Sequence, residues 1–372
     1  MTLPRVRSLL VAVVALVCPL LLSAQAYSTS ARTGVYYETL SFGSGIAFNR
    51  ISELTIPFVL TQRLSNRLTL DVSSAYASAS VSEPGGGDVK YSGLVDTDVR
   101  GTIAIIPGRL LFNVVGSLPT GAKAVADTTI PLFGATATDL FGFTTPSFGS
   151  GGGVSAGFAS AFQMGTNWAF GAGASYRQGM AYTPVAGGSE MSPGGEIRAR
   201  MGIEGPMSGG KYFRGAFVYT KTANNDLGGG SESAIGDRFL LYAALTMPMG
   251  NSRLSFYGWD MKRQRPSDFA TPGTVSVPAG NVLAIGTKLD KPLNPKTTLA
   301  PLLEFRHELT STGTQMELLG YLLRLGTDLR YHLSERATGV LQAQFATGKL
   351  QDQGTTVSVT GPRVGLWIEW MR

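Results

Sequence analysis

Beyond residue 26 the sequence contains no cysteine, the single one being Cys18. Disulfides, a thiol nucleophile and a thiolate metal site are therefore excluded from that region. Charge is scarce as well: charged residues make up 15% of the chain, against about 25% in an ordinary soluble domain. There are two histidines, His307 and His332, so little is available for acid–base chemistry. After the N-terminus no uninterrupted apolar run reaches the roughly 18 residues of a membrane-spanning helix. Glycine, by contrast, is plentiful at 48 residues of 372, above the average share of about 7%. Many thin, sparsely charged strands fit this composition better than a conventional globule.

The opening stretch MTLPRVRSLLVAVVALVCPLLLSAQA places Arg5 and Arg7 before an apolar core and ends on Ala24, Gln25 and Ala26. That is the layout of a secretory signal peptide with a small-x-small cleavage site. Val17, in front of Cys18, is not the small residue that a lipidated cysteine requires. Residues 1–26 are thus the expected signal and residues 27–372 the exported part. The chain carries 31 basic and 25 acidic residues; removing Arg5 and Arg7 leaves 31 − 2 = 29 against 25, or +4. So small and scattered an excess gives no basis for a nucleic-acid partner.

The segment QMELLGYLLRLGTDLRYHL, residues 315–333, is rich in leucine yet holds Glu317, Arg324, Asp328 and Arg330. As a spanning helix its leucines would return roughly 0.5 kcal/mol each, while each central charge would cost about 2.5–3.5 kcal/mol. The helix loses. With period two, Leu319, Tyr321, Leu323, Leu325, Leu329 and Leu333 share one face, and Leu322, Arg324, Asp328, Arg330 and His332 the other. The same alternation recurs downstream of the signal: Ile197, Ala199, Met201 and Ile203 oppose Glu196, Arg198, Arg200 and Glu204, and Leu68, Leu70 and Val72 oppose Arg67, Thr69 and Asp71.

Connections alternate between short turns, such as SN at 65–66, PGR at 107–109, GTN at 165–167 and GNS at 250–252, and longer polar or glycine-rich segments near 81–91, 119–150, 179–193, 223–235, 264–278, 308–314 and 349–356. Fourteen to sixteen strands follow, the first of them the weak segment 35–48. A soluble β-sandwich would alternate in the same way. Strand length decides between the two, because soluble strands cluster near five or six residues and these run well past that. Short turns at one end and long loops at the other are the pattern of outer-membrane barrels. Trp168, Tyr212, Phe213, Tyr331 and Trp370 gather near the short turns or the C-terminus, and Tyr76, Tyr91, Tyr176, Tyr219 and Trp259 near the long loops, as two interfacial girdles would. The expected fold is all-β: a transmembrane antiparallel up-and-down barrel in the bacterial outer membrane, with leucines toward lipid and charges toward the lumen.

Candidate sites are few. His307 in FRHELTS lies near a long loop with Glu308 and Ser311, but adjacent strand residues point to opposite faces, so His307 and Glu308 form no dyad; His332 belongs near the periplasmic mouth. GSLPTGAK at 116–123 lacks the Gly-Lys pair and the helix of a phosphate loop. Asp96, Asp98 and Asp127 do not gather the oxygens of a calcium site. No catalytic, cofactor or metal residues are expected. The loop at 119–150 carries Leu132, Phe133, Leu140, Phe141, Phe143 and Phe148, too oily to hang in water, and should fold over the mouth, into the lumen or against the membrane surface. Phe133, Phe141 and Phe143 are the candidate docking surface for an apolar ligand, against the plainer reading of a constriction loop packed on its own aromatics. Arg100, Arg198, Arg200, Arg324 and Arg330, with Asp328, are the candidate ligand pathway of the lumen. Opposite charges there either brace the wall or form a cationic ladder for a carboxylate or phenolate.

SGLVDTDVR at 92–100, LPTG at 118–121 and PSFGSG at 146–151 resemble the outer-membrane proteins associated with the phenol meta-cleavage pathway, distant relatives of long-chain fatty-acid transporters. Val95 stands where that family tends toward glycine, and residues 27–48 show no hatch motif. The resemblance implies uptake of small hydrophobic compounds. The expected function is therefore a non-enzymatic channel for passive uptake of small, hydrophobic or aromatic solutes, with membrane lipids and the barrel-assembly machinery as partners. The alternatives are a general polar-solute porin, a structural barrel with a filled interior, and a lipid-modifying enzyme using His307.

Overall fold

The computed structural model describes residues 28–372 apart from 146, 229, 267–273, 312–315 and 353; the expected signal peptide lies outside the described residues. Sixteen strands form one closed antiparallel wall. In chain order these are β1 (Thr29–Phe42), β2 (Arg50–Arg63), β3 (Leu68–Ser82), β4 (Asp88–Leu94 and Thr97–Ile106, interrupted at Val95 and Asp96), β5 (Leu110–Leu118), β6 (Gly153–Met164), β7 (Trp168–Gly179) and β8 (Glu196–Met207). The second half comprises β9 (Lys211–Thr222), β10 (Arg238–Met249), β11 (Ser252–Arg263), β12 (Ala279–Asn294), β13 (Thr297–Ser311), β14 (Glu317–Ser334), β15 (Ala337–Asp352) and β16 (Thr355–Met371). Each strand pairs with the next, and β16 returns to β1 in a register running from Ser30↔Met371 to Phe42↔Val359. Closure satisfies the backbone of both outermost strands, which lipid would leave unpaired.

The first strand begins at Thr29, earlier than the 35–48 segment expected, and the chain from Thr29 to Phe42 joins the wall. Its alternation is faint because Thr33 takes an outward position where an oily residue is expected; on the lumen face Gly34 lies against Trp367, where a Cβ would collide. Of the segments expected as loops at 308–314 and 349–356, the described residues are mostly strand: β13 runs to Ser311, and β15 and β16 approach to a turn carrying Gly354 at φ +81°. Polar residues misled there because they sit on a wall that rises beyond the apolar belt.

The register fixes which face is which, since directly opposed residues share a side. On β14, Leu323, Leu325, Tyr331 and Leu333 are exposed on the outer surface, while Leu322, Arg324 and Asp328 are buried inside. The outer row continues around the barrel through Leu303, Ile285, Leu241, Met201, Phe158, Leu341 and Leu366, all exposed. Trp168 rests on Phe213 at 6.3 Å between ring centres, and Tyr219 on Phe239 at 5.2 Å, on that same outer face. Three aromatics assigned to the girdles belong to the lumen. Tyr91 is opposite Ala79, Trp259 opposite Ala284, and Tyr212 shares the face of Arg214. Nearness to a strand end does not determine the face; parity does.

Candidate functional site: a loop folded into the lumen

The segment from Pro119 to Gly152 leaves β5, turns inward and packs inside the barrel. Its start and end are pinned at one residue of the β4 interruption. The carboxylate of Asp96 accepts the N–H of Gly121 at 3.0 Å, the N–H of Ser150 at 2.7 Å and the hydroxyl of Ser150 at 2.9 Å. Ala122 N–H donates to the Phe148 carbonyl at 2.8 Å, closing the loop on itself. A Cβ at Gly121 would run into that same carbonyl oxygen, so only glycine fits there. SGLVDTDVR, LPTG and the described part of PSFGSG thus meet at Asp96.

Within the loop a short helix, α1 (Ile130–Thr136), opens with Pro131 in its first turn, where a missing N–H does no harm. Leu132, Leu140, Phe141, Phe143 and Phe148 are buried. They pack on inward residues near the long-loop ends of six strands: Leu40 and Phe42 of β1, Ile51 of β2, Ala77, Ala79 and Val81 of β3, Leu322 of β14, Ala346 and Leu350 of β15, and Val357 and Val359 of β16. This is an apolar core inside the barrel. Full burial of side chains of this size stabilises by about 1.5–3 kcal/mol each, which explains why so oily a loop stays out of water. Phe133 is partly buried and completes an aromatic triangle with Tyr91 and Phe148, with ring centres 5.1–5.3 Å apart.

Buried charges hold the loop backbone below that core. Glu38 lies between Arg324, at 2.8 Å, and Arg363, whose Nε donates at 2.7 Å. The same two guanidiniums donate to loop carbonyls, Arg324 to Phe141 at 2.9 Å and Arg363 to Gly142. Arg306 donates to the Asp139 carbonyl at 3.2 Å while pairing with Glu304 at 2.8 Å and lying over the Trp259 ring at 5.6 Å. Carboxylates hold loop amides in turn: Leu140 N–H donates to Glu308 at 2.9 Å and Thr145 N–H to Glu53 at 3.0 Å. Gly142 has φ +61°, and a Cβ there would strike Arg306. Burial pushes the Asp139 carboxyl above its usual range, opposed by Arg263, Arg238 and Arg306.

The expected site residues divide sharply. Phe141 and Phe143 are enclosed in the core and present no surface, and only Phe133 stays partly open. Arg324 braces the loop. Asp328 pairs with Lys288 at 2.7 Å and accepts from Gln342 at 2.9 Å, and Arg330 pairs with Asp290 at 3.1 Å; both belong to the wall. Arg198 pairs with Glu196 at 2.9 Å yet stays exposed. Arg100 and Arg200 are exposed and make no ion pair among the described residues. His307 faces outward beside Phe305 and Tyr321, with Glu308 on the lumen side. His332 lies at the short-turn end, 3.1 Å from the Thr338 hydroxyl. Glu38, Arg363, Arg306 and Glu53, which grip the loop, were not singled out from sequence, and Glu308 drew notice only as a neighbour of His307; Leu322, an oily residue on the charged face of its strand, was the available sign of an internal core.

The loop packs against β1–β3 and β14–β16 and is gripped by β13. Beside it, along β4 to β8, lies a hollow of about 520 Å³ whose lining includes Asp98, Arg100, Ser155, Arg177 and Arg198.

No family profile matches the sequence, and no curated protein is similar to it. Among solved structures the chain is similar to OprB of Pseudomonas putida (8% identity, covering 95% of each chain, TM-score 0.46). It is also similar to OccK11 (OpdR) of Pseudomonas aeruginosa (12%, 93% of this chain and 96% of that one, 0.46) and to OmpT, an outer-membrane protein of Vibrio cholerae (11%, 94% and 99%, 0.44). An even-numbered closed antiparallel barrel with an oily outer belt, short turns at one end and long loops at the other defines the class: a bacterial outer-membrane β-barrel.

Proposed function

We propose that this barrel is a passive outer-membrane channel for small water-soluble solutes, which pass on the β4–β8 side of the inward-folded loop. One observation carries the reading: the loop buries its aromatic residues against one arc of the wall, while the adjoining β4–β8 arc presents exposed Arg100, Arg177, Arg198 and Arg200 over small residues such as Gly157, Gly173 and Ser175. Exposed charges over a floor of small side chains suit hydrated solutes more than oily ones. Polar solutes, the alternative weighed from sequence, are therefore preferred over the hydrophobic compounds that the phenol-pathway resemblance implies. What favours the hydrophobic reading is the half-open triangle of Tyr91, Phe133 and Phe148.

The test is a swelling assay with purified protein in liposomes, comparing glucose with phenol. Glucose-driven swelling well above that of protein-free liposomes is expected. Protein-dependent admission of phenol alone, above its unaided passage into protein-free liposomes, would move the reading to hydrophobic uptake, and no protein-dependent admission of either solute would end it in favour of a structural barrel.

A further inference from the structure

We propose that the hollow on the β4–β8 arc is a binding site for a small organic anion, held by the guanidiniums of Arg100 and Arg177 over an apolar and hydroxyl floor. The proposal rests on the channel reading above for its place in transport, but not for the binding itself.

The register builds the site. Arg100, Val115, Ser155, Arg177 and Glu196 are successive cross-strand partners from β4 to β8 and form one continuous row on the lumen face. Three strand spacings of about 4.8 Å separate the two arginines, roughly 14 Å of wall, a span their long side chains can close from both sides. Between them the floor is only Val115 and Ser155. The neighbouring row, Asn113, Gly157, Ser175 and Arg198, adds an amide, an open floor and a third guanidinium.

The carboxylates nearby already have donors. Asp96 is satisfied by Gly121 and Ser150, Asp98 accepts from Ser117 at 2.6 Å, and Glu196 is shared by Arg198 at 2.9 Å and Arg238 at 3.0 Å. Asp71 is opposite Arg100 on β3 and accepts from Thr61 at 2.6 Å. The guanidiniums on the row are the unengaged members. Arg100 makes no hydrogen bond or ion pair among the described residues, and Arg177 reaches only the Ser150 hydroxyl at 3.4 Å. Two exposed forked donors, neither paired with a carboxylate among the described residues, match a planar carboxylate. Val95 and Val115, which also line the hollow, suit a short apolar body and point to an organic anion over inorganic phosphate.

Titration calorimetry on the detergent-solubilised full-length protein at low salt, with sodium benzoate, neutral benzamide and inorganic phosphate as probes, tests this. Benzoate binding at least tenfold tighter than benzamide or phosphate is expected, as is a loss of at least tenfold in the Arg100→Gln/Arg177→Gln double variant, whose folding is checked by heat-modifiable gel mobility. The Arg100→Lys/Arg177→Lys variant, which keeps the charge and removes the fork, should fall between the two. Absent benzoate binding, phosphate binding as tight as benzoate, or an unchanged double variant each overturns the proposal. Glucose swelling of liposomes is read separately, so loss of the channel reading leaves this measurement standing.

Discussion

Asp96 and Ser150 are joined twice, through the backbone N–H at 2.7 Å and the hydroxyl at 2.9 Å, across a separation of 54 residues. Because Gly121 N–H shares the same carboxylate, one side chain on the wall closes both ends of the lumen loop. Hydrogen bonds to a charged group are worth about 1.5–3 kcal/mol, and losing the acceptor leaves two backbone donors exposed inside the barrel. Asp96→Ala should therefore free the loop without opening the barrel. Limited trypsinolysis at Lys123 is expected to accelerate several-fold while heat-modifiable gel mobility is retained. Unchanged cleavage would show that the apolar core alone fixes the loop.

Glu38 is the acceptor for the buried guanidinium of Arg324 and the partly buried one of Arg363, and its removal strands both. Loss of one partner of a buried ion pair destabilises by about 3–5 kcal/mol. Glu38→Ala should lower the urea midpoint of unfolding in detergent micelles markedly. The triple variant Glu38→Leu/Arg324→Met/Arg363→Met should recover most of that loss, since replacing all the charges leaves none unpaired. A triple variant as unstable as the single one would mean that the guanidinium contacts to the Phe141 and Gly142 carbonyls, and not the ion pairs, hold this part of the lumen.

Much of the wall was legible because alternation is a property of each strand separately: the oily row of β14 and its charged counterpart follow from parity and the energetic exclusion of charge from lipid. The inward core was not legible, because it arises only where six strand ends face one loop. Val357 and Val359 read as ordinary strand residues until Phe141 and Phe148 of the loop join the same core. The division of the arginines was equally hidden. Arg324 and Arg100 look alike in sequence, and what separates them is that β14 lies under the loop and β4 beside its open flank.

Gly142 tests how tightly the loop is latched. Its φ of +61° is unfavourable for any side chain, and a Cβ would displace Arg306 from the Asp139 carbonyl. A strained position of this kind costs on the order of 1–3 kcal/mol, with loss of the latch added. Gly142→Ala is expected to give noisier and larger single-channel currents in planar bilayers than the wild type. Gly134→Ala, on α1 with open space around its Cβ position, should leave the currents as they were. Equal behaviour of the two variants would remove Gly142 from the latch.

The face assignment itself is tested most directly at Leu325, whose side chain is 62% exposed on the outer surface and flanked by Leu323, Leu303 and Phe345, the last two its cross-strand partners. On a soluble sheet so exposed a leucine would accept arginine with little effect. In lipid an arginine near the bilayer midplane costs about 2–4 kcal/mol, and the neighbouring oily residues offer it no acceptor. Leu325→Arg should therefore reduce folding free energy into lipid vesicles by about that amount, whereas Leu325→Phe should change it by much less. A neutral outcome for the arginine would mean that this row does not touch acyl chains, and with it the inside–outside assignment on which the lumen, its loop and the basic arc all depend would fail.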